Sequence, residues 1–452
     1  MSLLVLMMFV AAACGGGDGG GGGTTQASGD CDPSTLEPAQ APEGESPAGP
    51  GAAPTTASPA AASPGGSPTG ASPAAASPGG SPTAAVMRLA QAKPTVTIGT
   101  FGDRTGDNAN IILPSHDGMA LAIKQANESG NLPVTLTFKA LDNRNAGAET
   151  APAIAQQFIG DPSVVAVLGG GFSGETAATG SLFSEAGLLF FTASATRPDL
   201  TESGFRTFFR GLANDNDQGS GIIQAFEHLG CERVAVVDDK SPYGQGLGNA
   251  TRRAAEEANL EVVLSESIEP TTDYTALVDS VVAADPQALF YAGYAAQFQL
   301  VARQLREKGY EGIIASGDGS KEEEIGEKIG RAEAENVLLT CACPDINLSP
   351  EEDAQRFVDA FEAEYARRPG IYAAEGYDVA NTTIEAIREC GENGGAGGVT
   401  RQCVVQNVRD SDYEGITKRM SFAENGQVEA GTVSLFVIRD GVVREVGPVD
   451  DL

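Results

Sequence analysis

Hydrophobic and polar positions fall into three regimes along the chain. Residues 1–14, MSLLVLMMFVAAAC, form an apolar run of about 11 residues closed by small residues and Cys14. The run is too short to span a bilayer and has the shape of a signal-peptide core. Residues 15–93 carry no apolar period: GGGDGGGGG leads into Pro, Ala and Ser, with ASPAAASPGGSPT at 57–69 and again at 71–83. Such a composition reads as a disordered tether. From Thr95 onward, short apolar strands alternate with segments of helical period.

In that third regime TVTIGT predicts a strand and FGDRTGDNANIILPSHDG a loop. Residues 118–129 predict a helix with Met119, Ala122, Ile123 and Ala126 on one face. VTLTFKALDN reads as a strand, 148–159 as a helix, 164–168 as a buried strand, and 188–192 as another after a helix of small residues. FRTFFRGLANDNDQG then changes the character of the chain, and a fresh series begins. Its helices are 219–229, 247–258, 274–284 and 295–308; its strands are 233–237, EVVLSES, ALFYAG and GIIAS. VLLTCACP, two helices at 350–368 and 371–390, and a hairpin-like end complete the pattern.

Strands alternating with helices of ten or more residues predict an α/β fold with parallel sheets covered on both faces. The two series predict two doubly wound lobes. We place lobe one at about 94–212 and 345–430, and lobe two at about 213–343 and 431–452. A multi-strand hinge is expected near 211–216, 341–344 and 430–432. In such sheets ligands sit at the carboxyl ends of the strands. Those ends are 100–104, 142–144, 169–173 and 193–196 in the first series, and 238–243, 293–294 and 316–320 in the second.

Composition narrows the partners. With 61 Asp and Glu against 29 Lys and Arg, a nucleic acid or an anionic membrane surface is disfavoured. His116 and His228 have no Cys or acid at ligand spacing, so neither a metal nor a cofactor is expected. Ala11-Ala12-Ala13-Cys14 looks like a bacterial lipobox, which would make Cys14 a lipidated first residue holding the protein on a membrane surface. Cys390 and Cys403 bracket a Gly-rich loop and could bridge it; Cys341 could pair with Cys343, or either with Cys231, with connectivity left open. KEEEIGEK reads as a solvated helix face.

The chemistry concentrates in 163–200, SVVAVLGGGFSGETAATGSLFSEAGLLFFTASATRPDL. Its strand ends present backbone N–H groups and hydroxyls at helix N-termini, an arrangement that receives a small anion. GGGFSGET has P-loop spacing, but Glu175 stands where the lysine would be and would repel a polyphosphate, so a small organic carboxylate fits better. Ser173 lacks the nucleophile elbow and no acid and base follow in usable order, which disfavours hydrolysis; no enzyme activity is expected.

VVAVLGGGFSGET, GLLFFTASATRPDLTESGFRTFFRGLANDNDQG, DDKSPYGQGL, FYAGYAAQFQLVARQLREKGYEG and GDGS together resemble the branched-chain amino-acid-binding (Leu/Ile/Val) proteins of ABC importers, with the type I periplasmic-binding-protein fold. The resemblance runs from about Thr95 to Val446. It implies that Ser173 holds a ligand carboxylate, that the Ser194 carbonyl accepts from an ammonium, and that the Thr196 hydroxyl, next to Ala195, lies near both charged groups. Tyr243 and Tyr294 would be contributed by the second lobe, and Asp318 stands where the family has a Glu that pairs with the ammonium. The family's first-loop aromatic is replaced by Asp103 and Arg104, so a polar or acidic ligand clasped by Arg104 is an alternative.

These features together imply an extracytoplasmic, lipid-anchored, monomeric receptor that binds a branched-chain or other small amino acid and delivers it to ABC permease and ATPase subunits. A ligand-sensing module of the same fold, or a binder of a small amide or dicarboxylate, is the rival expectation.

Overall fold

The computed structural model describes residues 31–40, 93–144 and 147–452. Cys14, where a lipobox was expected, and most of the Pro, Ala and Ser stretch lie outside the described residues. The first lobe is built from β1 (Thr95–Gly102), α1 (Ala109–Ser129), β2 (Thr135–Asp142), α2 (Gly147–Ile159), β3 (Val164–Leu168), α3 (Ser173–Glu185), β4 (Leu189–Thr192) and β5 (Phe208–Arg210). Its five strands are all parallel, in the order β2-β1-β3-β4-β5. β3 and β4 are wholly apolar or nearly so and buried along their whole length, as a strand covered on both faces must be.

The second lobe follows with α4 (Asp215–His228), β6 (Arg233–Asp238), α5 (Pro242–Glu257), β7 (Glu261–Ser267), α6 (Thr275–Ala284), β8 (Ala288–Ala292), α7 (Ala295–Glu307), β9 (Ile313–Ser316), α8 (Ile325–Ile329) and β10 (Leu338–Cys341). The chain then returns to lobe one with α9 (Glu352–Tyr365), α10 (Ala373–Gly394), α11 (Arg401–Arg409) and the short ribbon β11 (Tyr413–Glu414) and β12 (Arg419–Met420). The hairpin β13 (Ser434–Arg439) and β14 (Val442–Pro448) closes the chain. The second sheet has the order β14-β13-β10-β9-β8-β6-β7. It is parallel from β7 to β10, but β13 and β14 add antiparallel, so it is mixed rather than purely doubly wound. A two-residue Asp440-Gly441 turn makes that reversal possible, with both residues at positive φ.

Both sheets have a switch point, where the strand order reverses and a crevice opens at the carboxyl ends. In lobe one it lies between β1 and β3, where Gly171 N–H donates to the Phe101 carbonyl at 3.2 Å. In lobe two it lies between β6 and β8, where Asp239 N–H donates to Ala292 at 3.1 Å. The lobes face each other across these two crevices: the ring of Phe172 meets Tyr294 edge-on at 5.4 Å, and Asn110 Nδ2 reaches Glu322 at 3.4 Å.

Three sequence expectations are corrected. The helix expected at 118–129 starts nine residues earlier, at Ala109, and carries Pro114 within it. The apolar Ile111 and Ile112 drive this: both are buried, so the first turns gain more from packing than Pro114 costs in one lost donor. KEEEIGEK is exposed only at Glu323, Glu324 and Glu327. Glu322 is buried and accepts from Lys328 at 2.5 Å, Lys321 stands 4.2 Å over the Phe436 ring, and only Ile325–Ile329 is helical. Finally, Cys31–Gln40, assigned to the tether by composition, is docked on lobe two through a Cys31–Cys231 disulfide. A short segment without a core of its own is held by a covalent bond and by borrowing the lobe's core. The other bridges are Cys341–Cys343 and Cys390–Cys403. The last closes a 13-residue separation, which in the chain-entropy picture contributes about 3 kcal/mol.

Candidate functional site

The crevice between the two switch points is lined by Ile111, Gly171, Phe172, Ser173 and Ser194 from lobe one, by Tyr243, Tyr294, Asp318 and Gly319 from lobe two, and by Tyr372 from the returning chain. Its free volume is about 20 Å³, so the two walls stand nearly in contact. The first-lobe wall begins as β3 runs into Gly169-Gly170-Gly171 and then α3. A Cβ on Gly171 would meet the end of the Ile112 side chain at 2.6 Å, so glycine lets the loop sit against α1 without displacing Ile112. Glu175, which argued against a P-loop, fixes this wall. Its buried carboxylate accepts from Phe172 N–H at 3.2 Å and from Asn143 Nδ2 at 2.5 Å. Burial pushes its pKa up to about 8, with the hydrogen bond from Asn143 opposing the shift.

Ser173 is the first residue of α3, where backbone N–H groups have no partner within the helix. Its hydroxyl accepts from Arg197 N–H at 3.2 Å, which leaves its own proton available to an acceptor in the crevice. Ser194 donates its hydroxyl to the Gly171 carbonyl at 2.9 Å and so ties the end of β4 to the end of β3. Ala195 and Thr196 stand behind this surface, not on it. Ala195 packs in the apolar core, and the Thr196 carbonyl accepts from Asp215 N–H at 2.9 Å where the chain crosses between lobes.

The second-lobe wall is a network around Asp318. Tyr243 Oη donates to Asp318 Oδ1 at 2.5 Å, Gly319 N–H approaches the same oxygen at 3.0 Å, and Tyr372 donates to Oδ2. Behind it, Gln218 Oε1 accepts from Asp318 N–H at 3.4 Å while its Nε2 donates to Asp215 Oδ1 at 3.0 Å. Burial raises the pKa of Asp318, opposed by the tyrosine hydroxyls. Burial also raises that of Asp215, reinforced by the charge of Asp318. Burial holds Tyr243, Tyr294 and Tyr372 well above the ordinary phenol value, so they remain donors. The wall therefore presents one buried acid, Asp318, with Asp215 behind it, and three hydroxyl-bearing rings, a surface suited to a small cation.

Of the seven residues expected from sequence, Ser173, Ser194, Tyr243, Tyr294 and Asp318 come together here, and Ala195 and Thr196 do not. Sequence reasoning missed Ile111, Phe172, Gly319 and Tyr372. Tyr372 caps α10 at φ 61°, a left-handed conformation uncommon for an aromatic residue. The Pro369-Gly370 pair just before it was the one available signal of a special turn. Arg104, weighed as a clasp for an acidic ligand, is turned elsewhere. Its backbone N–H donates to Asp142 at 2.9 Å, and its guanidinium pairs with buried His116 at 3.0 Å. Ile111 supplies an apolar side to the crevice where the first-loop aromatic was missed.

Among the described residues no group of three or more His, Cys, Asp or Glu could hold a metal ion, and no helix is long and apolar enough to cross a membrane.

Residues 95–441 match the family model described as periplasmic binding protein. Among curated relatives, a leucine-, isoleucine-, valine-, threonine- and alanine-binding protein of Pseudomonas aeruginosa is 26% identical over 345 residues, covering 75% of this chain and 89% of the relative. A Leu/Ile/Val-binding protein homolog of Brucella melitensis is 29% identical over 294 residues, covering 64% and 77%. Among solved structures, a leucine-binding protein of Thermotoga maritima superposes with a TM-score of 0.71 at 24% identity, covering 79% of this chain and all of that one. The substrate-binding protein of a branched-chain amino acid transporter from Streptococcus pneumoniae, solved with isoleucine, gives 0.70 at 25% identity, covering 78% and 100%.

Proposed function

We propose that this chain, which belongs to the periplasmic-binding-protein family, captures a small α-amino acid with an apolar side chain between its two lobes. The observation that carries the reading is the opposition of the two walls. One offers the N-terminus of α3 and the Ser173 hydroxyl; the other offers the Asp318 carboxylate among tyrosine rings. A carboxylate is favoured at the first by unpaired N–H groups and the helix dipole, and an ammonium at the second by charge. Ile111 and Phe172 then receive the apolar side chain. The names of the relatives, which bind leucine, isoleucine and valine, support the same ligand class.

Because each lobe supplies half of the contacts, a ligand favours the closed arrangement by its differential interactions with it. That closed form is what permease and ATPase subunits of an ABC importer would recognise, with transport energy supplied by the partner. Cys14 would anchor the receptor as a lipoprotein on the outer face of the membrane, and the protein would act as a monomer without a cofactor.

The test is calorimetry and thermal unfolding with leucine, isoleucine, valine, threonine, alanine, a primary amide and a dicarboxylate. An apolar amino acid present at 100 times its dissociation constant should stabilise the fold by about 2.7 kcal/mol. Binding of the dicarboxylate with no response to any amino acid would overturn the assignment.

A further inference from the structure

We infer that the N-terminal attachment leaves the molecule from lobe two, so that residues 15–30 are the working tether and residues 41–92 bridge the two lobes instead of spacing the receptor from its anchor. Composition alone suggests the opposite, a single spacer running from residue 15 to the first strand. Four observations on the described segment decide between them.

Cys31 is disulfide-bonded to Cys231, 200 positions away at the turn before β6. Leu36 is only 5% exposed and belongs to the core of lobe two. Arg439 on β13 donates to the carbonyls of Pro33 at 2.9 Å and Leu36 at 3.2 Å. Ala39 N–H donates to the Glu445 carbonyl at 2.7 Å, so the segment lies along β14, the edge strand of the second sheet, and covers part of that edge.

The chain thus leaves lobe two at Gln40 and is next described at Lys93, where it enters β1 of lobe one. A pull applied ahead of Cys31 passes through the disulfide into Cys231 and bypasses 41–92. The consequence for reach is large. Fully extended, the 79 residues 15–93 could span roughly 270 Å, whereas the 16 residues 15–30 span at most roughly 55 Å. Lobe two is therefore held close to the anchor, and lobe one is the lobe left free to move in opening and closing.

The membrane part of this inference rests on the proposed lipidation of Cys14; the covalent part does not. The experiment inserts a protease site between Gly70 and Ala71 of the full chain, expressed in a lipoprotein-processing host, and cleaves it on isolated membranes. The binding domain should stay with the membranes after cleavage and be released on adding a dithiol reductant. The Cys31→Ser, Cys231→Ser pair should release it on cleavage alone. Release without reductant from the chain with both cysteines intact would overturn the inference. If the uncut chain is not on the membrane, the anchoring reading fails, and non-reducing gels of the cleaved chain decide the rest. One band that splits in two on reduction supports the bridge, and two bands without reductant exclude it.

Discussion

The two walls of the crevice are held in place by opposite means. On the lobe-one side the contact groups are backbone and hydroxyl, set by glycines at the end of β3 and by the first turn of α3, with Glu175 and Asn143 locking the loop from behind. On the lobe-two side they are side chains, with Asp318 held by Tyr243, Tyr372 and the Gln218–Asp215 pair. The first wall offers partial positive charge without any cation, and the second concentrates negative charge in a buried place. A zwitterion satisfies both at once, whereas a plain anion or cation satisfies one and leaves the other unanswered.

That asymmetry predicts unequal costs when each wall is damaged. Asp318→Asn keeps the shape and removes the charge, so calorimetry should show affinity for the best amino acid falling by about 100-fold or more, since losing one partner of a buried charge pair costs some 2–5 kcal/mol. An unchanged affinity would move the ammonium site elsewhere. Ser173→Ala removes one of several donors, because the α3 N–H groups remain. About a tenfold loss is expected, the size of one hydrogen bond to a charged group, with the melting temperature of the unliganded protein little changed.

The smallest effect belongs to Tyr372→Phe, which deletes a bond that joins the two sides. Burial raises the Asp318 pKa and the Tyr372 hydroxyl opposes that rise, so the substitution should raise it further. An ammonium needs the charged carboxylate, so affinity should fall as pH drops through the raised Asp318 pKa. In the variant that fall should begin at higher pH, with a loss of only a few-fold at neutral pH. A pH profile identical to that of the parent would show that Tyr372 acts only as packing.

The crossing between the lobes is also built from local bonds. Asp215 N–H donates to Thr196, Arg210 N–H donates to Gly426 at 2.9 Å, and Val428 N–H donates back to Arg210 at 3.0 Å. Buried Arg210 adds Gln427 at 2.7 Å and the Arg197 carbonyl at 2.6 Å. These ties run from the end of the first sheet to the chain that returns to the second. They explain why polar residues such as Arg210, Asp215 and Gln218 are fully buried there, each with partners.

How much of this was legible followed sequence distance. Ser173 and Ser194 sit at the ends of strands whose apolar runs are unmistakable, and Asp318 stands in a Gly-Asp-Gly directly after another, so their placement at carboxyl ends could be read directly. Tyr372 and Ile111 belong to the ends of helices whose first turns carry no strand signal, and they reach the crevice only because α1 and α10 pack against each other and lobe two closes over them. Cys31 offered an arithmetic clue. Setting Cys14 aside leaves six cysteines, an even number that matches the three bridges observed.

The chain's own pattern determined the alternation of strands and helices, the division into two α/β lobes and the donor-rich end of β3, because periodicity and glycine content act locally. Only the tertiary structure decided which side chains meet across the crevice, that Cys31 ties the N-terminal segment to lobe two, and that Asp215 stands behind Asp318. Those contacts join residues that are tens to hundreds of positions apart, and nothing in local propensity encodes a distance between two separately folded surfaces until they are packed.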